Sequence, residues 1–137
     1  MRMPFVHLRT HTEYSVVDGT LRIDEAVASA AADRQVALAI TDLGNLFGAI
    51  KFYNAARSAG IKPVIGADVW LEPESSDRPP SRLLLLAQNR AGYLNLCELL
   101  TRCWMGPASQ AQPWTTWDVL SELNGGLIAL SGADQGA

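Results

Sequence analysis

The interpretation of the fold starts from one stretch, Phe5-Val-His-Leu-Arg-Thr-His-Thr-Glu-Tyr-Ser15. Residues 5–8 are predicted to form a short apolar strand. Side chains alternate along a strand, so His7, Arg9 and His11 are expected on one side of it. Imidazole is a good metal ligand, whereas arginine is always cationic and cannot bind a metal. The stretch therefore raises the question of whether this strand end is a metal site or the remnant of one.

Length and composition limit the possible classes of protein. The 137 residues fit one domain, and 48% hydrophobic with 18% charged residues indicate a globular chain. A net charge of −3 argues against a segment that binds DNA by itself. The longest apolar runs are too short for a membrane span, and we expect neither a signal peptide nor a membrane contact. The spacing of Cys97 and Cys103 favours buried free thiols, and therefore a reducing, cytoplasmic location.

Strand and helix patterns alternate along the chain. Strands are predicted over residues 5–8, 37–41, 64–71, 83–87 and 127–130, and helices over 26–32, about 46–59, about 93–100 and 115–123. Residues 72–81 are predicted to be a surface loop and 105–114 a linker-like loop, with Thr115 or Thr116 as the cap of the last helix. Repetition of strand and helix favours a parallel sheet or a β/α barrel with helices outside.

Polar residues follow three of the predicted strands. The segment 11–18 follows the first strand, Asp42 follows the second, and Asp68 lies late in the third. In α/β folds the functional sites lie at the carboxyl ends of strands, so these residues are expected to converge. Taken singly, Asp42 is explained as a turn former, Asp68 as a surface acid of an edge strand, and His7 as a core histidine with satisfied hydrogen bonds.

Five ordered blocks resemble a known family. They are residues 5–19, 39–48, 51–53 (Lys-Phe-Tyr), 60–68 (Gly-Ile-Lys-Pro-Val-Ile-Gly-Ala-Asp) and 85–96 (Leu-Leu-Ala-Gln-Asn-Arg-Ala-Gly-Tyr-Leu-Asn-Leu). Together they are similar to the amino-terminal PHP (polymerase and histidinol phosphatase) domain of bacterial DNA polymerase III alpha subunits. The resemblance implies an α/β fold, a distorted TIM-like β/α barrel. It also implies that residues 1–137 are the first part of such a domain and end before the barrel closes.

The same resemblance implies a degenerate metal site. Metal-binding members carry His-x-His after the first strand, and here that pattern falls on Arg9 and His11. They carry Thr-Asp-His-Gly after the second strand, where this chain has Leu43 in place of the histidine. The glutamate of the third strand matches the shorter Asp68. Neither a catalytic residue nor a bound metal is therefore expected. The corresponding positions are Arg9, His11, Asp18, Asp42, Leu43 and Asp68.

Three functional classes follow from the resemblance. The first is a structural and docking domain of the replicative polymerase. It would hold the proofreading exonuclease subunit within the holoenzyme, while DNA and the magnesium of the polymerase site belong to other parts of that protein. The alternative is a metal-dependent PHP phosphoesterase or 3'-5' exonuclease. A free-standing phosphatase such as a histidinol phosphatase is disfavoured by the polymerase-like blocks at 51–53 and 87–93.

Two structural expectations follow. An unclosed sheet exposes a strand edge, so we expect either self-association or a rearranged carboxyl-terminal segment that covers the edge. Arg9 is expected to direct its guanidinium at the gathered carboxylates of Asp18, Asp42 and Asp68, because these would repel one another without a cation.

Overall fold

A computed structural model describes residues 5–15, 18–106 and 113–132, and contains four helices and five strands in those ranges. The strands are β1 Ala37–Ile40, β2 Lys62–Leu71, β3 Ser81–Ala87, β4 Trp114–Thr115 and β5 Leu127–Ser131. The helices are α1 Ile23–Ala32, α2 Ala49–Ser58, α3 Arg90–Trp104 and α4 Trp117–Leu123. None of the described helices combines the length and apolar composition needed to cross a membrane.

The long strand β2 is the centre of a mixed sheet. β1 pairs with its first half in parallel and β4 pairs with its last two residues in parallel. β3 pairs with its second half in antiparallel fashion, and β5 pairs antiparallel with β3. The α/β class and the open sheet are as predicted, with β3 interior rather than an edge. The prediction of a parallel sheet was wrong. Residues 72–80 reverse the direction of the chain and contain no crossover helix, so β3 runs antiparallel to β2.

Residues 5–11, which we call the first segment, do not form a regular strand, contrary to the strand predicted over residues 5–8. It still lies beside β1, since the N–H of Ala39 donates to the carbonyl of His7 at 3.0 Å. The N–H of Thr41 likewise donates to the carbonyl of Thr10 at 2.9 Å. His7 is exposed, so its assignment to the core was wrong; its ring contacts only the edge of the Phe5 ring among the described aromatic pairs. This irregular segment nevertheless positions the residues that follow it at the end of β1.

The buried face of helix α2 was predicted only in part. The helical spacing of Ile50, Tyr53 and Ala56 predicted an apolar face, yet Ile50 is 73% exposed and Tyr53 is 45% exposed. Ala56 is buried as predicted, together with Ala49 and Phe52. Alanine allows α2 to approach α1 closely, and the single large ring of Phe52 fills the space between that helix pair and β1.

A second core lies between the sheet and the helices α3 and α4. Its buried side chains come from β2, β3 and both helices: Ala67, Val69, Leu71, Leu85, Leu96, Leu99, Leu100, Cys103, Leu120 and Leu123. Cys103 is buried and Cys97 half-buried, and both are free thiols. Burial raises the pKa of the Cys103 thiol to about 11, which keeps it protonated and unreactive.

The carboxyl-terminal connections differ slightly from the predicted ones. Trp114 and Thr115 form β4, so the linker-like loop predicted over 105–114 ends earlier, and residues 107–112 of it lie outside the described residues. Thr116 caps α4, where its side chain accepts a hydrogen bond from the N–H of Val119 at 3.2 Å. Of the two threonines proposed as the cap, the second is therefore correct.

Candidate functional site

Asp68 is the central residue of the candidate site. It lies in the second half of β2 and is fully buried. Its N–H donates to the carbonyl of Asp42 at 3.0 Å, and its carbonyl accepts from the N–H of Gly44 at 2.8 Å. On the other side it stands opposite Leu84 of β3. The backbone around the carboxylate is thus fixed from both sides, which excludes the interpretation of Asp68 as a surface acid of an edge strand.

Two guanidinium groups and one imidazole approach the same oxygen of this carboxylate. Arg9 reaches Oδ2 of Asp68 with Nε at 2.8 Å and with Nη2 at 2.6 Å. Nε2 of His11 lies 2.9 Å from the same oxygen, and Nη1 of Arg82 lies 3.6 Å from it. The other oxygen, Oδ1, is buried and has no hydrogen-bond partner among the described residues. The predicted contact between Arg9 and a gathered carboxylate is therefore made to Asp68.

His11 links two carboxylates. Its Nδ1 lies 2.9 Å from Oδ1 of Asp18, while its Nε2 faces Asp68. The hydrogen bond to Asp68 raises the pKa of His11 above its ordinary 6.5, and the negative charges of Asp18 and Asp68 act in the same direction, against the opposing effect of burial. The site therefore favours the imidazolium form, in which both ring nitrogens donate.

Arg82 was missed by the sequence analysis. Its side chain is only 11% exposed, and its guanidinium carbon lies 4.6 Å from the centre of the Trp70 ring. Its Nη2 lies 3.5 Å from Oδ2 of Asp18. Arg82 stands opposite Trp70 in the β2–β3 pairing, and Trp70 is two residues beyond Asp68, on the same face of the strand. A charged residue directly before the apolar run 83–86 was the available signal, but the predicted strand began two residues after the start of β3 and left Arg82 out.

Asp42 belongs to a separate network. It is buried, and its carboxylate accepts hydrogen bonds from the N–H of Thr12, from Oγ1 of Thr12 at 2.8 Å, and from Oγ of Ser15 at 2.8 Å. Oγ of Ser15 in turn accepts from the N–H of Leu43 at 2.9 Å. The backbone of Asp42 is bonded to that of Asp68, but the carboxylate of Asp42 accepts its hydrogen bonds from the loop that follows the first segment rather than from Arg9.

Leu43 has a position beside the site but no polar role in it. It forms an isolated parallel bridge with Asp68 and is half-buried. Arg9, His11, Asp18 and Asp68 are thus brought together, with Arg82 as an unpredicted fifth member. We call these five residues the Asp68 cluster. The Asp68 cluster is an ion-pair network that joins the first segment to β2 and β3.

Comparison with protein families gives a match over nearly the whole chain. Residues 7–137 match the PHP domain. The DNA polymerase III subunit alpha of Pseudomonas aeruginosa is 45% identical over 136 residues, which is 99% of this chain and 12% of that protein. The corresponding subunit of Escherichia coli K12 is 44% identical over 132 residues, 96% of this chain and 11% of that protein. The chain therefore spans about an eighth of the length of these relatives.

Two solved structures have a similar fold. An amidohydrolase from Chromobacterium violaceum, solved with bound sulfate and no metal, superposes with a TM-score of 0.54 at 26% identity, over 74% of this chain and 33% of that one. A putative metal-dependent phosphoesterase from Bifidobacterium adolescentis gives a TM-score of 0.52 at 16% identity, over 72% of this chain and 32% of that one. The second likeness concerns the fold alone.

Proposed function

The chain belongs to the PHP domain family, and from this premise we propose that it is a structural and docking part of a bacterial DNA polymerase III alpha subunit. Identities of 41–45% to alpha subunits over 96–99% of the chain support this assignment. In the proposal, DNA synthesis and its magnesium ions belong to the remaining length of the parent protein. In the proposal, the parent protein acts on the chromosome and therefore works in the bacterial cytoplasm.

The structural role is supported mainly by the basic side chains that contact Asp68. A metal-dependent phosphoesterase needs its carboxylates free to bind an ion that activates water. Here Oδ2 of Asp68 is already in contact with Arg9 and His11 and lies close to Arg82. Oδ1 of Asp68 has no hydrogen-bond partner among the described residues, but an ion bound to either oxygen would stand beside two guanidinium groups that repel it. The residues present therefore do not fit a metal cluster, and we propose that the domain works without one.

The docking role rests on the resemblance to alpha subunits and on one exposed apolar surface. Three large side chains are highly exposed: Phe47 at 73%, Trp104 at 61% and Met105 at 79%. They border a cleft of about 580 Å³ that is also lined by Leu46 and Leu100. Clustered exposed aromatic and methionine side chains are typical of protein interfaces. In the proposal, the proofreading exonuclease subunit is the partner that covers this cleft.

A capture experiment tests docking. The chain is immobilised and offered the purified proofreading exonuclease subunit, with the complete alpha subunit as the positive reference. We expect Phe47→Asp to weaken capture about tenfold, because it places a charge in the apolar contact. The matched control is Val36→Asp, at an apolar side chain that is 58% exposed and does not line this cleft. Equal capture by the two variants would show that the partner binds elsewhere, and no capture by the unmodified chain would refute docking on it.

Elemental analysis tests the metal-free state separately. The purified chain is expected to contain far less than one equivalent of zinc, manganese or iron. A stoichiometric metal that resists dialysis against a chelator would instead favour the alternative, a metal-dependent phosphoesterase or exonuclease.

A further inference from the structure

We infer that Arg82 occupies the place of a bridging cation between Asp18 and Asp68, and that it is the residue that excludes a divalent metal from this centre. One guanidinium nitrogen, Nη1, lies 3.6 Å from Oδ2 of Asp68, and the other, Nη2, lies 3.5 Å from Oδ2 of Asp18. A single planar group thus spans both carboxylates. The inference rests on the proposed metal-free role and assigns it to a particular side chain.

The two arginines already match both negative charges of the centre, before any proton on His11 is counted. Asp18 and Asp68 carry two negative charges, and Arg9 and Arg82 carry two permanent positive charges. A divalent ion would supply the same two charges at one point. Because the guanidinium groups supply them already, an added ion would leave the cluster with excess positive charge in a partly buried place, which is unfavourable.

Arg9 is less suited than Arg82 to keep a metal out. Its side chain is 35% exposed, and Arg9 itself lies in an irregular segment from which it reaches Asp68. It could therefore turn outward and release the carboxylate to an ion. Arg82 has no such freedom, since it is 11% exposed, lies over the Trp70 ring and projects from β3, which is paired on both sides.

Removing Arg82 is therefore expected to create a metal site. The carboxylates of Asp18 and Asp68 would then face the place that the guanidinium leaves, and carboxylate oxygens are ligands that manganese prefers. His11 would keep its contacts with both carboxylates, since its two ring nitrogens face them on opposite sides of the ring.

The test measures the melting temperature of the chain with manganese chloride and with a chelator. Four proteins are compared: the unmodified chain, Arg82→Met, Arg9→Met, and the control Arg78→Met, whose guanidinium pairs with Glu74 on an exposed loop. We expect manganese to raise the melting temperature of Arg82→Met by about 3 °C or more, and to leave the unmodified chain and Arg78→Met unchanged. Arg9→Met is expected to respond less than Arg82→Met.

Several outcomes would overturn the inference. They are a folded Arg82→Met that does not respond to manganese, a response of Arg9→Met as large as that of Arg82→Met, and a response of the unmodified chain. If Arg82→Met does not fold, Asp18→Asn is added to it. Recovery of the folded state then supports the bridging role, and failure to recover contradicts it. Loss of exonuclease capture would refute the docking proposal but would leave these melting temperatures unaffected, so the two failures can be told apart.

Discussion

Trp104 donates its indole N–H to the carbonyl of Gly44 at 2.7 Å, although the two residues are 60 positions apart. Gly44 has a φ of +69°, which a glycine adopts without strain, and its own N–H donates to the carbonyl of Asp68 at 2.8 Å. The end of α3 is thereby connected through one turn to the middle of β2. A largely exposed tryptophan consequently helps to fix the backbone of the most buried aspartate.

Replacing this tryptophan tests the connection. Trp104→Phe keeps an aromatic ring but removes the donor, and we expect it to lower the free energy of unfolding by about 1 kcal/mol. Urea denaturation measures the change. Trp117→Phe is the matched control, because its ring is also more than half exposed, and it should have an effect near zero. A similar loss in both variants would mean that ring packing, rather than the hydrogen bond, is what matters.

The ion pair between Arg9 and Asp68 should contribute more than a surface pair. Arg9→Met leaves a fully buried carboxylate with fewer cations, and we expect a loss of roughly 2–4 kcal/mol in the free energy of unfolding. The value is below the upper end for buried pairs because Arg82 and His11 remain. Arg78→Met removes an exposed pair with Glu74, and about 0–0.5 kcal/mol is expected for it. Equal effects in urea denaturation would contradict burial of the Arg9 pair.

Stability should depend on the protonation of His11. Its pKa is raised in the folded state above the ordinary value of 6.5, chiefly by the hydrogen bond to Asp68. Folding therefore favours the protonated ring, so the stabilisation is fully present below about pH 6.5 and is lost as the pH rises through the raised pKa. Urea midpoints at about pH 5.5 and pH 8.5 should show a larger difference between the unmodified chain and His11→Gln at the lower pH.

The control for this titration is His7→Gln, which changes an exposed histidine four positions earlier. It should leave the pH profile of stability almost unchanged. A profile of His11→Gln that is parallel to that of the unmodified chain would show that the His11 proton is not linked to folding.

Asp42 is expected to stabilise the loop after the first segment rather than to act on the Asp68 cluster. Asp42→Ala would leave the N–H of Thr12 and the hydroxyl groups of Thr12 and Ser15 without their acceptor, all of them in buried residues. We expect a loss of about 3 kcal/mol in thermal or urea unfolding, with Asp42→Asn less harmful because it retains one acceptor oxygen. Manganese should not stabilise either variant, in contrast to the expectation for Arg82→Met.

The edge of β5 offers a test of self-association. Within the described residues β5 is paired on one side only, with β3, and Ile128 and Leu130 are 41% and 37% exposed. An apolar edge strand invites pairing with a second copy, which a charged residue opposes. Light scattering should therefore show a lower average mass for Ile128→Lys than for the unmodified chain at equal concentration. A monomer in both cases would remove the basis for this expectation.

The helices and strands could be predicted from the sequence to a large extent, because the apolar runs at 64–71 and 83–87 and the helical pattern at 93–100 are strong. The direction of β3 could not be predicted from the sequence. A polar segment such as 72–80 is compatible with either a crossover or a direct return, and only the pairing of β2 with β3 decides between them.

The candidate site was predicted only in part, for a similar reason. Arg9 and His11 both contact Asp68, as their spacing of two residues predicted, although the segment that carries them is not a regular strand. The role of Arg82 depends on the antiparallel register that sets it opposite Trp70, and that register is not visible in the sequence. The carboxylate of Asp42 is bonded instead by the loop at Thr12, whose path no periodicity describes.

The composition of the Asp68 cluster also has a consequence for the order of events in folding. Arg9 and His11 are 59 and 57 positions away from Asp68, so their contacts require the closure of long loops. Such contacts are expected to form after the transition state, once β1, β2 and β3 are in place. The ion-pair network should then stabilise the folded state but not the transition state. Its removal would accelerate unfolding while leaving the rate of refolding nearly unchanged.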